Sequence, residues 1–478
     1  MRLLRAGRSA PHGINNQNGI ALLILVIALA LTITTYYFAS ISLVDYQVNN
    51  LEQTRSALKK AKQALINYAV MHADGSGSGN PGEFGYLPCP HIANATEGVQ
   101  DLTCKARYKN TVGYLPWISL ETDILRDATG NCLWYAVSGS YKNNPDSLLI
   151  NEDTNGMFQT VDDNGAIIFG NSPEDRIVAV VFAAGAPVAG QNRTYDPTKA
   201  CGGDAANVAE YLEGDGVTDN SAIQDIVDTI DQFISASITS DSAATPYNDL
   251  MITISREEIW AAVMARNDIN GKMQILTHAL AQCLSNYAAK NGFNRLPWPA
   301  DVALADYRLE NNYDDMDGTS GYAGRYPFIV TGSNAVIGVG GNDVIFTEGA
   351  CTTAGGIIAD LDVVGSEYRH LWDNWKDHFF YVVSKGFEPD ASVASCGTCI
   401  TVDGNPMAAV VIYAGSRQGV QSRTGPVGVD APTKNNIANY IENGNEANFP
   451  DLTGNGNYVT GGNDIMYCID DSMVVAIC

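Results

Sequence analysis

The sequence predicts an α+β fold: a long N-terminal transmembrane helix followed by two tandem heads, each a helix packed on an antiparallel sheet. Three observations predict this fold. Residues 20–44 carry no charged side chain, and several short segments of the first half recur in the same order in the second half. In each half the sequence pattern is typical of a helix followed by short strands. We expect a leader at 1–19, the helix at 20–72, a first head at 73–254 and a second head at 255–478.

The charge-free run of 25 residues from Ile20 to Val44 predicts the transmembrane helix. As an α-helix it spans about 37 Å, more than the roughly 30 Å hydrocarbon core of a bilayer. Arg2, Arg5 and Arg8 precede it, so the positive-inside rule places the N-terminus in the cytoplasm and the heads outside. The run is too long for a cleaved secretory signal, whereas a plain signal anchor remains an alternative.

An internal duplication organises the rest of the chain. Each of the matches is weak alone, but their shared order over about 200 residues indicates two copies of one module. The matched segments are 64–69 with 283–288, 87–90 with 296–299, 126–138 with 372–384, 178–185 with 408–415, 193–194 with 423–424, 207–213 with 436–442, and 248–251 with 463–466. Two copies are too few for a solenoid, which needs about three.

Each module begins with a helix and continues with strands. The apolar stripe formed by Leu58, Ala61, Leu65 and Tyr68 has helical spacing and predicts a helix to about residue 72. The segment 255–258, with sequence SREE, is a capping box that opens a helix in the second module. Short aromatic and β-branched runs at 133–138 and 178–182, and at 379–384 and 408–412, predict neighbouring antiparallel strands.

The N-terminal junction carries a family resemblance. A polar leader ending in Gly19 abuts directly on the apolar run that starts at Ile20. This junction resembles the prepilin peptidase site of type IV pilins and type II secretion pseudopilins. The resemblance implies cleavage after Gly19 and N-methylation of Ile20. The family usually has Glu where this chain has Ile24. Because it lacks that Glu, the junction resembles those of the K-type minor pseudopilins and X-type minor pilins, which lie at or near filament tips.

The first head extends the resemblance. Its sequence pattern resembles that of a group of large pilin-like proteins. The matching residues are the segment 85–90, GYLPCP, and then Asp127, Gly130, Asn131 and 135–138. The second head keeps only part of this pattern, with Trp298 in place of Cys89.

The resemblance implies a structural subunit and not an enzyme. We expect a minor pilin or pseudopilin of a type IV pilus or a type II secretion system, tip-proximal, acting in filament initiation or cell adhesion. Its implied partners are other pilins, the prepilin peptidase and the inner-membrane assembly platform. Its implied localisation is the bacterial inner membrane, single-pass, with periplasmic or extracellular heads. A membrane-anchored glycan-binding or surface-binding protein is the alternative, and an anchored hydrolase is a weaker one.

The net charge disfavours nucleic acid as a partner. The chain carries 28 Lys and Arg against 53 Asp and Glu, a formal net charge of −25. Loss of the leader removes three arginines, so −25 becomes −25 − 3 = −28. Phosphate recognition needs a basic face, which such a composition does not favour.

The ten cysteines indicate disulfides in an oxidising compartment. We expect Cys89 to pair with Cys104, Cys396 with Cys399, and Cys468 with Cys478, so that no bridge connects one head to the other. The remaining four, Cys132, Cys201, Cys283 and Cys351, can pair in several ways. For the Cys396 and Cys399 motif, a redox centre or half of a zinc site are the alternatives, but its Gly-, Ser- and Thr-rich surroundings favour a structural bridge.

No catalytic motif emerges from the sequence. His370 and His378 lie in an aromatic stretch that favours a structural role, and no carboxylate pair is singled out for glycosidase chemistry. Asp314, Asp315 and Asp317 on a glycine-containing loop are candidate calcium ligands, as are the acids of 213–219, because calcium prefers several oxygens on a flexible turn. A solvated acidic loop is the alternative for both.

Overall fold

A computed structural model gives the fold of the chain. It describes residues 17–72, 81–94, 96–239, 245–290, 292–335, 337, 341–349, 351, 361–424 and 433–478. The chain forms two compact units, Met1–Ser56 and Ala57–Cys478. Both heads, residues 73–254 and 255–478, belong to the second unit, together with the last turns of the first helix.

Strands outnumber helices among the described residues. The α-helices are α1 (Gln17–Met71), α2 (Arg256–Met264), α3 (Ile269–Lys290), α4 (Ile345–Glu348) and α5 (Glu367–Trp375). The strands of the first head are β1 (Thr111–Tyr114), β2 (Trp134–Val137), β3 (Phe158–Val161), β4 (Ile167–Phe169), β5 (Ile177–Ala183) and β6 (Asp231–Ile234), with β7 (Leu250–Ser255) at its end. Those of the second head are β8 (Ala323–Arg325), β9 (Ile329–Thr331), β10 (Asn342–Val344), β11 (Phe379–Val383), β12 (Ile400–Val402), β13 (Asn405–Met407), β14 (Ala409–Tyr413), β15 (Asn457–Tyr458), β16 (Ile465–Ile469) and β17 (Val475–Ile477).

The sheet of the first head is built around β5. The strand order is β1-β2-β5-β3-β4, with β7 also paired to β5 and β6 paired to β3. Every residue of β5 is buried, because its alternating side chains enter hydrophobic clusters on both faces. The last turns of α1 cover one face, where Leu58, Ala61 and Leu65 are almost completely buried. The predicted helix stripe is therefore confirmed.

The main sheet of the second head repeats this plan. Its order is β17-β16-β14-β11-β8, with every pair antiparallel, and α3 packs across β14, β16 and β17. The partial order β8-β11-β14-β16 has the same connectivity as β1-β2-β5-β7 in the first head. The predicted strand neighbours pair as expected, Trp134 opposite Phe182 and Phe379 opposite Tyr413.

The two heads are joined without a linker. Ser255 is the last residue of β7 and also the N-cap of α2, where its side chain accepts a hydrogen bond from the Glu258 amide. The Glu258 side chain accepts in turn from the Ser255 amide at 2.9 Å, so the predicted capping box is confirmed. One hydrophobic core continues from the first head into the second, where the Trp260 and Trp375 ring centres lie 5.7 Å apart.

The predicted fold class is wrong in its description of the heads. The chain is a mixed α/β protein dominated by strands, and a helix on one antiparallel sheet is an incomplete description of either head. In the first head β6 runs parallel to β3, and in the second a separate small sheet pairs β12 with β15 in parallel. Long irregular connections bring these strands together, and such pairings leave no alternation pattern specific to them.

The predicted transmembrane helix is also contradicted. In the described part of the chain, no helix is long and apolar enough to cross a membrane. This finding overturns the helix at 20–72 as a membrane span, and with it the predicted bacterial inner-membrane localisation.

Candidate functional site: the charged junction between the heads

The two heads meet through a buried set of charged side chains. The first head contributes a loop between β2 and β3, in which Asn151, Glu152 and Asp153 are consecutive. The second head contributes Asp377 and His378, which follow α5 and precede β11. Asn151 Nδ2 donates to Asp377 Oδ1 at 2.8 Å, so an amide of one head directly binds a carboxylate of the other.

His378 lies between two carboxylates at the centre of this junction. Its Nε2 is 2.9 Å from Asp153 Oδ2, its Nδ1 is 3.0 Å from Asp377 Oδ1, and all three side chains are completely buried. Burial lowers the pKa of His378, but the two carboxylates outweigh burial and leave its pKa above the ordinary value. The imidazole therefore favours its protonated form, in which both nitrogens donate.

Cations surround the same carboxylates. Lys434 forms an ion pair with Asp377, and this lysine together with His378 holds the pKa of Asp377 well below its usual range despite burial. Arg417 Nε lies 3.1 Å from Asp153 Oδ1, and Arg423 Nη1 lies 3.9 Å from Asp153 Oδ2. Each buried carboxylate thus has cationic partners, which offsets the cost of desolvation.

The geometry does not fit a metal ion. The ligand atoms of Glu152, Asp153 and His378 lie within 4.8 Å of one another, a spacing that a metal could use. However, Arg417 and Arg423 lie against the same carboxylates, and Arg423 Nη1 is also 3.9 Å from Glu152 Oε1. A divalent cation in this position would meet two guanidinium groups at close range. The arrangement is that of an ion-pair network.

A second polar cluster lies within each head, at the end of its central strand. In the first head Arg193 Nη1 donates to the Gly185 carbonyl at 2.7 Å, and the guanidinium lies 4.8 Å from the centre of the Tyr211 ring. Arg193 Nη2 donates to Gln191 Oε1 at 2.6 Å, and Gln191 Nε2 donates to Glu213 Oε1 at 2.8 Å. The arginine fixes this loop to the strand.

The second head contains the same cluster at the matched positions. Arg423 Nη1 donates to the Gly415 carbonyl at 2.7 Å, and its guanidinium lies 4.6 Å from the centre of the Tyr440 ring. Gln421 Nε2 donates to Glu442 Oε1 at 3.1 Å, as Gln191 does in the first head. Arg423 differs in one respect, because it also faces the junction and so connects the cluster to the buried ion pairs.

Each cluster ends in two adjacent carboxyl groups. Asp249 Oδ2 accepts from the Glu213 amide at 2.9 Å, and Asp464 Oδ2 accepts from the Glu442 amide at 3.3 Å. In both aspartates the other oxygen, Oδ1, has no hydrogen-bond partner among the described residues. Burial, and then the neighbouring glutamate, raise the pKa of Asp249 well above its usual range and that of Asp464 to about 7.

We expect the Asp464 carboxyl to make stability depend on pH. Because its pKa is raised in the folded chain, its contribution is complete below about pH 4 and is lost as the pH rises through about 7. A rise of about three units corresponds to up to about 4 kcal/mol. In Asp464→Asn, the free energy of unfolding measured in urea should no longer decline between these two pH values. The exposed Asp471→Asn is the control, and a variant profile identical to that of the unmodified chain would refute the assignment.

A cleft of about 350 Å³ opens beside the junction and contains a further carboxylate pair. Arg369 Nη2 lies 2.6 Å from Glu310 Oε2, and Arg369 Nε lies 3.0 Å from Asp373 Oδ1. Trp372 Nε1 donates to Glu310 Oε1 at 2.9 Å. Burial and the Asp373 charge raise the pKa of Glu310. One arginine holds both carboxylates, which is the geometry of a structural cluster.

The structure pairs all ten cysteines. The bridges are Cys89–Cys104, Cys132–Cys201, Cys283–Cys351, Cys396–Cys399 and Cys468–Cys478. Three of them are the pairs that the sequence favours, and the two others resolve the four cysteines that sequence reasoning left open. Every bridge closes within one head.

The acids that the sequence offers for calcium are separated in the structure. Asp314, Asp315 and Asp317 do not bring their ligand oxygens within 4.8 Å of one another as a group. Asp315 is buried and accepts from the Thr331 amide and from Asn334 Nδ2, at 2.6 and 2.8 Å, whereas Asp314 and Asp317 are exposed. Calcium binding on this loop stays a prediction.

The processing residues lie at the start of α1. The helix begins at Gln17, so the bond between Gly19 and Ile20 is in its first turn, while leader residues 1–16 lie outside the described residues.

Sequence reasoning placed His378 in a structural role but did not find Asp153 or Asp377, its partners. The matched Arg193 and Arg423 were the available signal for the polar clusters, since both follow a duplicated strand.

Comparison of the chain with protein-family models, with curated proteins and with solved structures finds no match.

Proposed function

We propose that the chain is a structural subunit of a type IV filament system, a minor pilin or pseudopilin processed by a prepilin peptidase after Gly19. The observation that carries the proposal is the position of this junction at the start of α1, a helix of 55 residues whose last turns pack on the first head. A continuous helix of this kind offers a surface along which neighbouring subunits pack. Partners would be other pilins, the prepilin peptidase and the assembly platform.

The size of the double head supports a place near the filament tip. Residues 57–478 form one compact unit, in which buried charges and a continuous core join the two heads. A wide rigid head packs poorly along a helical filament, whereas a tip position imposes no such limit. Ile24, in place of the usual glutamate, supports the same position, because the chain lacks the carboxylate that would pair with a neighbouring N-terminal amine.

Mass spectrometry of the mature N-terminus tests the proposal. We expect N-methylated Ile20 as the first residue in cells with the prepilin peptidase, and an unprocessed chain in cells without it. Gly19→Val should block processing, while Gly13→Val, a matched change within the leader, should leave it intact. A mature chain that retains Met1, or one whose N-terminus does not depend on the peptidase, would contradict the proposal.

A further inference from the structure

One of the five disulfides is less buried than the others. Neither Cys396 nor Cys399 is buried, and Gly397 and Thr398, which lie between them, are exposed. Each of the other four bridges contains at least one cysteine with an exposed fraction of 5% or less. The bridge between Cys396 and Cys399 is therefore the one least shielded from a reagent in solvent.

Backbone contacts hold the turn that this bridge closes. The Ser395 amide donates to the Gly386 carbonyl at 3.2 Å, and the Gly386 amide donates to the Thr398 carbonyl at 3.2 Å. A Cβ atom at Gly386 would collide with the Ser395 carbonyl oxygen, so the two backbone segments lie in direct contact. The Ile400 amide, at the start of β12, donates to Ser384 Oγ at 2.9 Å. None of these contacts involves a sulfur atom, so the turn keeps its anchors when the bridge is open.

The loop that the bridge closes is also the shortest. Three positions separate Cys396 from Cys399, whereas the other bridges join cysteines that are 10 to 69 positions apart. The restriction that a disulfide places on the unfolded chain grows with the length of the loop, so opening this bridge should destabilise the head least. We therefore expect the head to remain folded without it.

Burial protects the other bridges from exchange with a thiol. In such an exchange a thiolate must reach one of the two bonded sulfurs directly. Two of the other bridges are buried at both cysteines, and two are buried at one. A thiolate reaches the first two only after part of the fold opens, and it can attack each of the second two at one end only.

We propose that the bridge between Cys396 and Cys399 is a site of reversible thiol–disulfide exchange, which a dithiol reductant opens while the other four bridges stay closed. The motif lies in a turn between β11 and β12. It does not begin a helix, which is a setting that gives catalytic cysteines of this spacing their reactivity. The chain is thus the substrate of the exchange and not its catalyst.

The exchange is balanced between the bridge and the dithiol. A thiolate of the dithiol attacks one sulfur of the bridge, forms a mixed disulfide and releases the other cysteine as a thiolate. The second sulfur of the dithiol, as its thiolate, then attacks the mixed disulfide and releases the first cysteine. Two electrons pass from the dithiol to the bridge, and the two protons of the dithiol end on Cys396 and Cys399. The dithiol leaves as a disulfide, and the reverse sequence closes the bridge.

Timed reduction of the full, oxidised chain tests the proposal. Dithiothreitol is added at neutral pH, excess N-ethylmaleimide stops each sample, and peptide mapping by mass spectrometry gives the labelling of every cysteine. We expect Cys396 and Cys399 to be labelled at least about tenfold faster than the other eight, because their bridge is the most accessible. After removal of the reductant, glutathione disulfide should close the bridge again.

Two measurements show whether the fold stays closed during this reduction. The near-ultraviolet circular dichroism should not change while the first bridge opens. The labelling rate of Cys396 and Cys399 should not change at urea concentrations well below the unfolding transition. Labelling that requires opening of the fold would instead accelerate with urea.

Two double variants assign the fast reaction to this bridge. The variant with Cys396→Ser and Cys399→Ser should lose the fast labelling and keep the slow labelling of the other eight cysteines. The variant with Cys468→Ser and Cys478→Ser is the matched control, because it removes the next shortest bridge. The control should be less stable but should keep the fast labelling unchanged.

Any of three results would overturn the proposal. The first is another bridge that opens as fast as the one between Cys396 and Cys399. The second is labelling of Cys396 and Cys399 that rises with urea together with the labelling of the other cysteines, which would show that reduction follows unfolding. The third is a reduced pair that glutathione disulfide does not close again, which would show that the exchange is not reversible.

Discussion

Replacing Asp377 with alanine is expected to destabilise the folded chain by about 3–5 kcal/mol, because it leaves buried cations without their counter-charge. His378 Nδ1 lies 3.0 Å from Asp377 Oδ1, Asn151 Nδ2 donates to the same oxygen at 2.8 Å, and Lys434 pairs with the other. Asp377 is completely buried, so water does not replace the lost carboxylate. Urea unfolding at neutral pH measures the loss.

Two comparisons separate this explanation from a general loss of packing. The exposed Asp314→Ala should change stability by no more than about 0.5 kcal/mol. Adding Lys434→Met to Asp377→Ala should recover part of the loss, because the second change removes one unpaired cation. The pKa of Asp377 is lowered on folding, so its contribution is present above the unfolded pKa and disappears in acid. A loss below about 1 kcal/mol at neutral pH would contradict the role assigned to it.

Removing the bridge between Cys132 and Cys201 is expected to cost about 4 kcal/mol. The two residues are 69 positions apart, and closing a loop of that length restricts the unfolded chain strongly. The double substitution to alanine, compared with the unmodified chain in urea, measures the effect. Both proteins are prepared oxidised, so that the remaining bridges stay closed.

The short bridge between Cys396 and Cys399 provides the control. Only three positions separate these cysteines, and the same loop argument gives about 1.5 kcal/mol for their removal. The difference between the two double variants should therefore be about 2–3 kcal/mol. Equal losses would show that local packing, and not restriction of the unfolded chain, decides what each bridge contributes.

The sequence predicted the local parts of this fold well. The neighbouring strands β2 and β5, and β11 and β14, were found because aromatic and β-branched runs recur in duplicate. The capping box at Ser255 was found because the motif is contained in four consecutive residues. The end of α1 at Met71 agrees with the stripe that predicted a helix to about residue 72. These features depend on residues close together in the chain.

The junction depends on residues far apart, and that is why sequence reasoning missed it. Asn151 and Asp377 are 226 positions apart and share no motif. Asp153 and Asp377 are two of 53 acidic residues, and nothing in their neighbours marks them as buried. The parallel pairing of β3 with β6 was missed for a similar reason, since a crossover connection leaves no turn signal between the two strands.

The confinement of every disulfide to one head bears on how the chain acquires its covalent structure. The first head closes two bridges with four cysteines, for which three pairings exist, and the second closes three with six, for which fifteen exist. Because Cys201 is the last cysteine that the first head needs, oxidation there does not have to wait for synthesis to reach Cys478. The N-terminal half therefore contains every cysteine that its own two bridges need.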